Sequence, residues 1–87
     1  MEFEDFPYEL SKHAADVIVE REIPLEWVAR TVASPAWREA DPSDDTLVHA
    51  LLPIGEFGGR ILRVVYNPRT APWRIVTVHF DRRARRP

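Results

Sequence analysis

"RILRVVYNPRTAPWRIVTVHF", residues 60–80, holds two runs of alternating apolar and polar side chains separated by a proline-rich break. In "RILRVVYN" (60–67) and "WRIVTVHF" (73–80) β-branched and aromatic residues dominate, and the intervening "NPRTAP" has turn chemistry, so the two runs read as antiparallel strands. Towards the N-terminus "TLVHALLP" (46–53) repeats the two-residue period, and Gly55, Gly58 and Gly59 mark its connection to residue 60. Three strands in a meander follow, with "AWREA" (36–40) as a short fourth at the edge.

Upstream of residue 36 the period is helical. Ser11 has N-cap chemistry, and Leu10, Ala14, Val17 and Ile18 recur at helical spacing, which predicts a helix over about 11–22. Pro24 cannot continue that helix but suits the first turn of another, whose stripe is Leu25, Val28 and Val32 and which stops before Pro35. The fold class is therefore α+β: two N-terminal helices packed on a three- to four-stranded antiparallel meander sheet. The 87 residues form a single domain, with 1–9 an extended or frayed lead-in, 10–80 the core and 81–87 a basic tail.

Strand parity sorts the side chains. Val48, Ala50 and Leu52, then Leu62, Val64 and Tyr66, then Val76, Val78 and Phe80 fall on the face under the helices. The opposite face is left open and rather apolar, with Leu47, Leu51, Ile61, Val65 and Ile75 surrounding a polar cluster. With residue 63 paired opposite both 49 and 77, His49 and Thr77 flank Arg63, and His79 is its diagonal neighbour.

Charge is unevenly distributed. Residues 1–45 carry twelve acidic and four basic side chains, a balance of −8, whereas residues 46–87 carry two and eight, a balance of +6. Eleven of the twelve basic residues are arginine, the side chain suited to bidentate phosphate or carboxylate contacts. Arg60, Arg74, Arg82, Arg83, Arg85 and Arg86 are the candidate nucleic-acid contacts, although the tail could equally be a solubilising end. The absence of cysteine excludes disulfides, a thiol nucleophile and cysteine-ligated zinc. Three histidines without a dense carboxylate cluster give no metal-site expectation, and no cofactor motif is present. Lacking a signal-like start or a bilayer-length apolar run, the chain is expected to be cytoplasmic, with no membrane partner.

"HAADVIVEREIPLEWVARTVASP" (13–35), "GGRILRVVYN" (58–67) and the closing "WRIVTVHF" together resemble an uncharacterised family, domain of unknown function 4258, over about residues 10–80. The resemblance implies a fold related to RelE- and BrnT-type toxins, which cleave RNA without a metal. The characteristic polar positions fall on His13, Arg21 and Arg63, with His79 near the end of the last strand; Val17 stands where a middle arginine is usual. Such cleavage needs a base, an acid and a cation at the phosphate. His49, Arg63 and His79 supply those types, and His13 and Arg21 share one helical edge, where they act either in catalysis or as a polar rim. Tyr66 falls on the core face and is set aside. The implied activity is a metal-independent endoribonuclease toxin acting on RNA and covered by a protein antitoxin. A non-catalytic interaction module or homodimer burying the open face, and an RNA-binding module using the basic half, are the alternatives.

Overall fold

The computed structural model describes residues 6–87, so the first five residues of the lead-in lie outside the described residues. Ser11 starts the first helix, α1 (Lys12–Glu20), as its chemistry predicts. Its Oγ accepts the Ala14 N–H at 3.0 Å, and its hydroxyl donates to the Val76 carbonyl at 2.9 Å, so one side chain caps the helix and ties it to the last strand. The helix closes with the Ile23 N–H on the Ile18 carbonyl (2.9 Å) and the Glu22 N–H on Val19 (3.2 Å). That pattern requires a left-handed residue in between, and Glu22 adopts it (φ 53). Ile23 and Ile18 then meet in the core. The second helix, α2 (Leu25–Ala33), follows Pro24 directly and buries Val28, Thr31 and Val32. The Thr31 hydroxyl is satisfied by donating to the Trp27 carbonyl at 2.7 Å.

The sheet contains β1 (Glu9–Leu10), β2 (Trp37–Ala40), β3 (Val48–Ile54), β4 (Arg60–Asn67) and β5 (Arg74–Phe80), in the order β1-β5-β4-β3-β2. It is five-stranded and mixed, in place of the expected three to four antiparallel strands, because the end of the lead-in pairs with β5 in parallel. The Glu9 N–H bonds the Trp73 carbonyl (2.8 Å) and the Ser11 N–H that of Ile75 (2.9 Å). Two residues are too few to display a period, which is why the pattern hid them. The edge strand at 37–40 and the three meander strands are where the alternation put them. Helix α1 packs on β5 and α2 on β3 and β4. Ile18, Val28, Val32, Ile54, Leu62 and Val64 fill the space between the layers. Among the described residues no helix is long and apolar enough to cross a membrane.

Two details of register differ from expectation. Arg63 lies opposite Leu51 and His79, not His49 and Thr77. The displacement is by two residues, so every side chain keeps its face while its neighbours change. The second difference is a bulge: Val65 pairs with Thr77 but Tyr66 with Ile75, leaving Val76 unpaired. Upstream of the bulge the parity inverts, and Ile75 enters the core in the place expected for Val76. The Val76 carbonyl is the one that Ser11 satisfies.

The second sheet face is also not open. Leu51 is fully buried and Val65 nearly so. The tail returns across this face from β5 to β2: Asp81 bonds Arg63, Ala84 is buried, and the Arg86 guanidinium lies 5.9 Å from the centroid of the Trp37 ring. The expectation of an exposed apolar face is thereby corrected; the tail and a charged network cover it.

Candidate functional site

Two polar assemblies flank β5, and the expected site residues divide between them. The first is built on Arg63, whose side chain is only 14% exposed. Its Nε donates to Asp81 Oδ2 at 2.9 Å, and its Nη1 donates to Glu39 Oε1 at 3.1 Å and to His49 Nδ1 at 2.8 Å. A guanidinium can only donate, so Nδ1 is the bare nitrogen of His49, and the ring proton sits on Nε2, where it is given to Asp41 Oδ2 at 2.8 Å. The carboxylates are held ionised. Asp81 lies below its ordinary pKa chiefly through the Arg83 backbone N–H and then Arg63, and Glu39 chiefly through the Trp37 indole N–H and then Arg63. The His49 N–H, with those of Ser43 and Asp44, likewise lowers Asp41.

This network brings His49 and Arg63 together but leaves neither free. The cation faces two carboxylates, and the one lone pair with which His49 could accept a proton is occupied by Arg63. Sequence reasoning missed Glu39, Asp41 and Asp81. Glu39 was legible in part, because it alternates with Trp37 on a recognised edge strand; Asp41 and Asp81 lie past strand ends, where parity gives no direction.

The second assembly forms where β5 runs out. Among the described residues no strand covers the outer side of β5 beyond residue 75, and the turn between the helices comes alongside it. A cavity of about 260 Å³ opens there, lined by Arg21, Arg60, His79 and Arg82 together with Ile23, Phe57 and Phe80. Among the described residues no carboxylate lines it. Arg60 is held by stacking on Phe57, its guanidinium carbon 4.9 Å from the ring centroid. Phe57 packs on Phe80 (centroids 4.9 Å apart) and on Trp27 of α2 (5.8 Å). The pKa of His79 is lowered, first by desolvation against its surroundings and then by the positive field of Arg63 and Arg21, which Asp81 opposes. Its imidazole is therefore neutral near pH 7 and able to accept a proton.

The model of a family described as domain of unknown function, DUF4258, matches residues 10–80. The chain belongs to the DUF4258 family. Neither the curated proteins nor the solved structures yield a match. The matched span of this DUF4258 domain includes Arg21, Arg60 and His79, and it stops before Arg82, which the tail supplies.

The remaining expected residues are dispersed in the DUF4258 domain. His13 stands on the same α1 edge as Arg21, its Nε2 3.2 Å from Thr77 Oγ1, and is exposed. Val17 lies between them, partly buried against the core. Arg74 is at the opposite end of β5, roughly 20 Å from Phe80 at 3.3 Å per residue, and is paired with Glu9. Arg83 is exposed, Arg85 borders a neighbouring cavity, and Arg86 covers Trp37. Tyr66 is buried and stacks on Trp73, in keeping with its exclusion. Among the described residues no group of three or more His, Asp or Glu side chains is placed to hold a metal ion.

Proposed function

We propose that this DUF4258 domain is a metal-independent endoribonuclease of toxin type whose reacting phosphate occupies the cavity at the end of β5. The observation that carries the reading is that three arginines and one histidine of lowered pKa line one cavity to which no described residue brings a carboxylate. Neutral His79 takes the proton of a ribose 2′-hydroxyl as that oxygen attacks phosphorus. Arg21, Arg60 and Arg82 stabilise the charge that accumulates on the phosphoryl oxygens. An in-line displacement needs its proton donor on the far side of phosphorus; His13 is assigned that role, two residues of β5 away at Thr77, or about 7 Å along the strand. The bond from phosphorus to the 5′-oxygen breaks, His13 protonates that oxygen, and a 2′,3′-cyclic phosphate remains. His49 and Arg63 are assigned to holding the tail in place.

A toxin of this kind requires an antitoxin, and a cavity rich in arginine suits an acidic segment of such a partner. The alternative of an interaction module or homodimer rested on an open apolar face, and Leu51 and Val65 are buried within the chain itself. The test is induced expression of wild type, Arg21→Ala and His79→Ala in a bacterial host, following growth and the termini of cellular RNA. Growth arrest with new 2′,3′-cyclic ends, lost in both variants at equal soluble yield, is expected. Intact RNA at high soluble yield of wild type overturns the reading.

A further inference from the structure

The phosphate cavity does not end at Arg60 and Arg82. A second cavity, of about 360 Å³, adjoins it across these same two side chains and Phe80, and is bounded on its far side by Arg85 and the Gly58–Gly59 turn. The arrangement of the ridge between the cavities follows from the ladder. The Asp81 N–H donates to the Ile61 carbonyl at 2.9 Å, so pairing of β4 with β5 runs beyond Phe80 and sets Arg60 beside Arg82. Like charges opposed across two strands repel. Arg30, Arg63 and Arg74 are each matched by a carboxylate, whereas among the described residues Arg21, Arg60, Arg82 and Arg85 make no ion pair. The one acid at the second cavity, Asp81, has its carboxylate turned to Arg63 and to the Arg83 N–H. Among the described residues no carboxylate offsets the repulsion along the ridge, and four guanidiniums spread over two joined cavities suit a ligand with more than one anionic charge.

Each cavity is near the lower end of the volume range of small-ligand pockets, room for one nucleotide-sized group. The second is open at its glycine side. Gly58 (φ 66) and Gly59 (φ 77) hold the left-handed turn, and a Cβ built on either would meet nothing within 4 Å. The Phe57 ring, exposed beside this turn, belongs to the wall of the first cavity and offers an apolar surface against which a base entering there can pack.

We infer that the two cavities are consecutive subsites for one single strand of RNA: the nucleotide next to the scissile phosphate occupies the second cavity, and its outer phosphate meets Arg85. This deepens the ribonuclease reading and rests on it for the position of the scissile bond. It makes the substrate a single strand of at least two nucleotides, since a paired strand cannot present its base to Phe57. Arg85 is a binding residue remote from the proton-transfer groups.

The experiment uses 2′-O-methyl oligouridylates, which cannot be cleaved by attack of the 2′-oxygen, carrying one, two or three phosphates. Their affinity is measured by calorimetry for wild type, Arg85→Ser, Arg85→Lys and the control Arg38→Ser, which changes an exposed arginine on the edge strand. Arg85 is exposed and makes no ion pair among the described residues, so its replacement leaves the fold intact. In wild type the second phosphate is expected to raise affinity about tenfold, the value of one charge-assisted contact discounted for exposure. The dependence of log affinity on log salt should steepen by about 0.7 per added phosphate. The gain should vanish in Arg85→Ser, return in part in Arg85→Lys, and persist in Arg38→Ser. No gain in wild type, or an undiminished gain in Arg85→Ser, overturns the second subsite. Cleavage of the matching 2′-hydroxyl oligomers is followed in parallel: a gain in affinity without cleavage supports the groove and overturns the ribonuclease, while cleavage without a gain does the reverse.

Discussion

Replacing Arg63 by methionine separates a structural role from a catalytic one. The substitution keeps the unbranched stem and removes the guanidinium from Asp81, Glu39 and His49. Breaking a fully buried pair costs about 3–5 kcal/mol. An exposed pair is worth about 0–1 kcal/mol. Arg63 is 14% exposed and Asp81 20%, which places this pair between the limits, whereas Glu39, at 40%, is screened enough to add little. The expected loss is about 2 kcal/mol, or about 8–16 °C in Tm for a domain of this size. Its pH dependence has a definite sign. Asp81 and Glu39 have lowered pKa values in the folded protein, so the stability they contribute is present above the ordinary carboxylate range and fades as pH falls through their folded values. The difference between wild type and Arg63→Met should therefore shrink as pH is taken from 7 towards 3. It should not take all the acid sensitivity with it, because the Arg83 N–H, the largest influence on Asp81, remains in the variant. Thermal unfolding followed by circular dichroism reads both effects, and a double-mutant cycle with Asp81→Asn should return a coupling of about 1 kcal/mol. A variant that melts within about 2 °C of wild type at neutral pH would refute the reasoning and return Arg63 to the list of groups available to a substrate.

Ser11→Ala loses an N-cap and strands the Val76 carbonyl, which should cost about 1–2 kcal/mol in urea unfolding, with Ser11→Thr restoring most of it. Glu22→Gly relieves a left-handed residue and should stabilise by about 0.5–1 kcal/mol, visible as a higher urea midpoint; a lower midpoint would show that the α1 end is held by the glutamate side chain. Leu51→Ala empties a fully buried position on the face beneath the tail and should cost about 2–4 kcal/mol; the loss of less than about 1 kcal/mol would mean that the tail does not cover this face. If His79 is the base, the acid limb of the pH–rate profile for RNA cleavage should have its midpoint below 6.5, because desolvation keeps the ring neutral to lower pH than usual; a midpoint above 6.5 would remove His79 from that role.

Periodicity carried most of the fold. The switch from helical spacing before Pro35 to alternation after residue 46 located both helices and the three long strands, because each element is long enough to display its period. Two features lay below that resolution. The pair Glu9–Leu10 is two residues long, and the bulge at Val76 is a one-residue insertion that appears only once the partner strand is known. The candidate site was legible by residue type and less so by grouping. Arg21, Arg60, His79 and Arg82 were all singled out, but in three separate contexts: a helical edge, a strand cluster and a basic half. What unites them is a crossing in space at the end of β5, and no spacing in the chain encodes that. His49 and Arg63 were grouped correctly, yet their acidic partners come from loop and strand-end positions, so a bound network looked like an open one.

Val17 shows how the two assemblies depend on one another. Between His13 and Arg21 the family pattern leads one to expect another arginine, and here the position is an apolar residue packed on the core. Helix α1 therefore brings only one guanidinium to the end of β5. The others arrive from Arg60, at the start of β4, and Arg82, just after β5. The direction of Arg82 is set by its neighbour Asp81, which Arg63 holds from the opposite sheet face. One of the cations at this end of the sheet is thus carried by the tail, and the tail is held by the strand arginine. If the domain cleaves RNA, loss of Arg63 should weaken the cavity without touching it, and the sign of such an indirect effect is specific: cleavage should fall together with stability and recover at lower temperature or with a stabilising substitution such as Glu22→Gly. A direct clamp on the phosphate would be lost at every temperature.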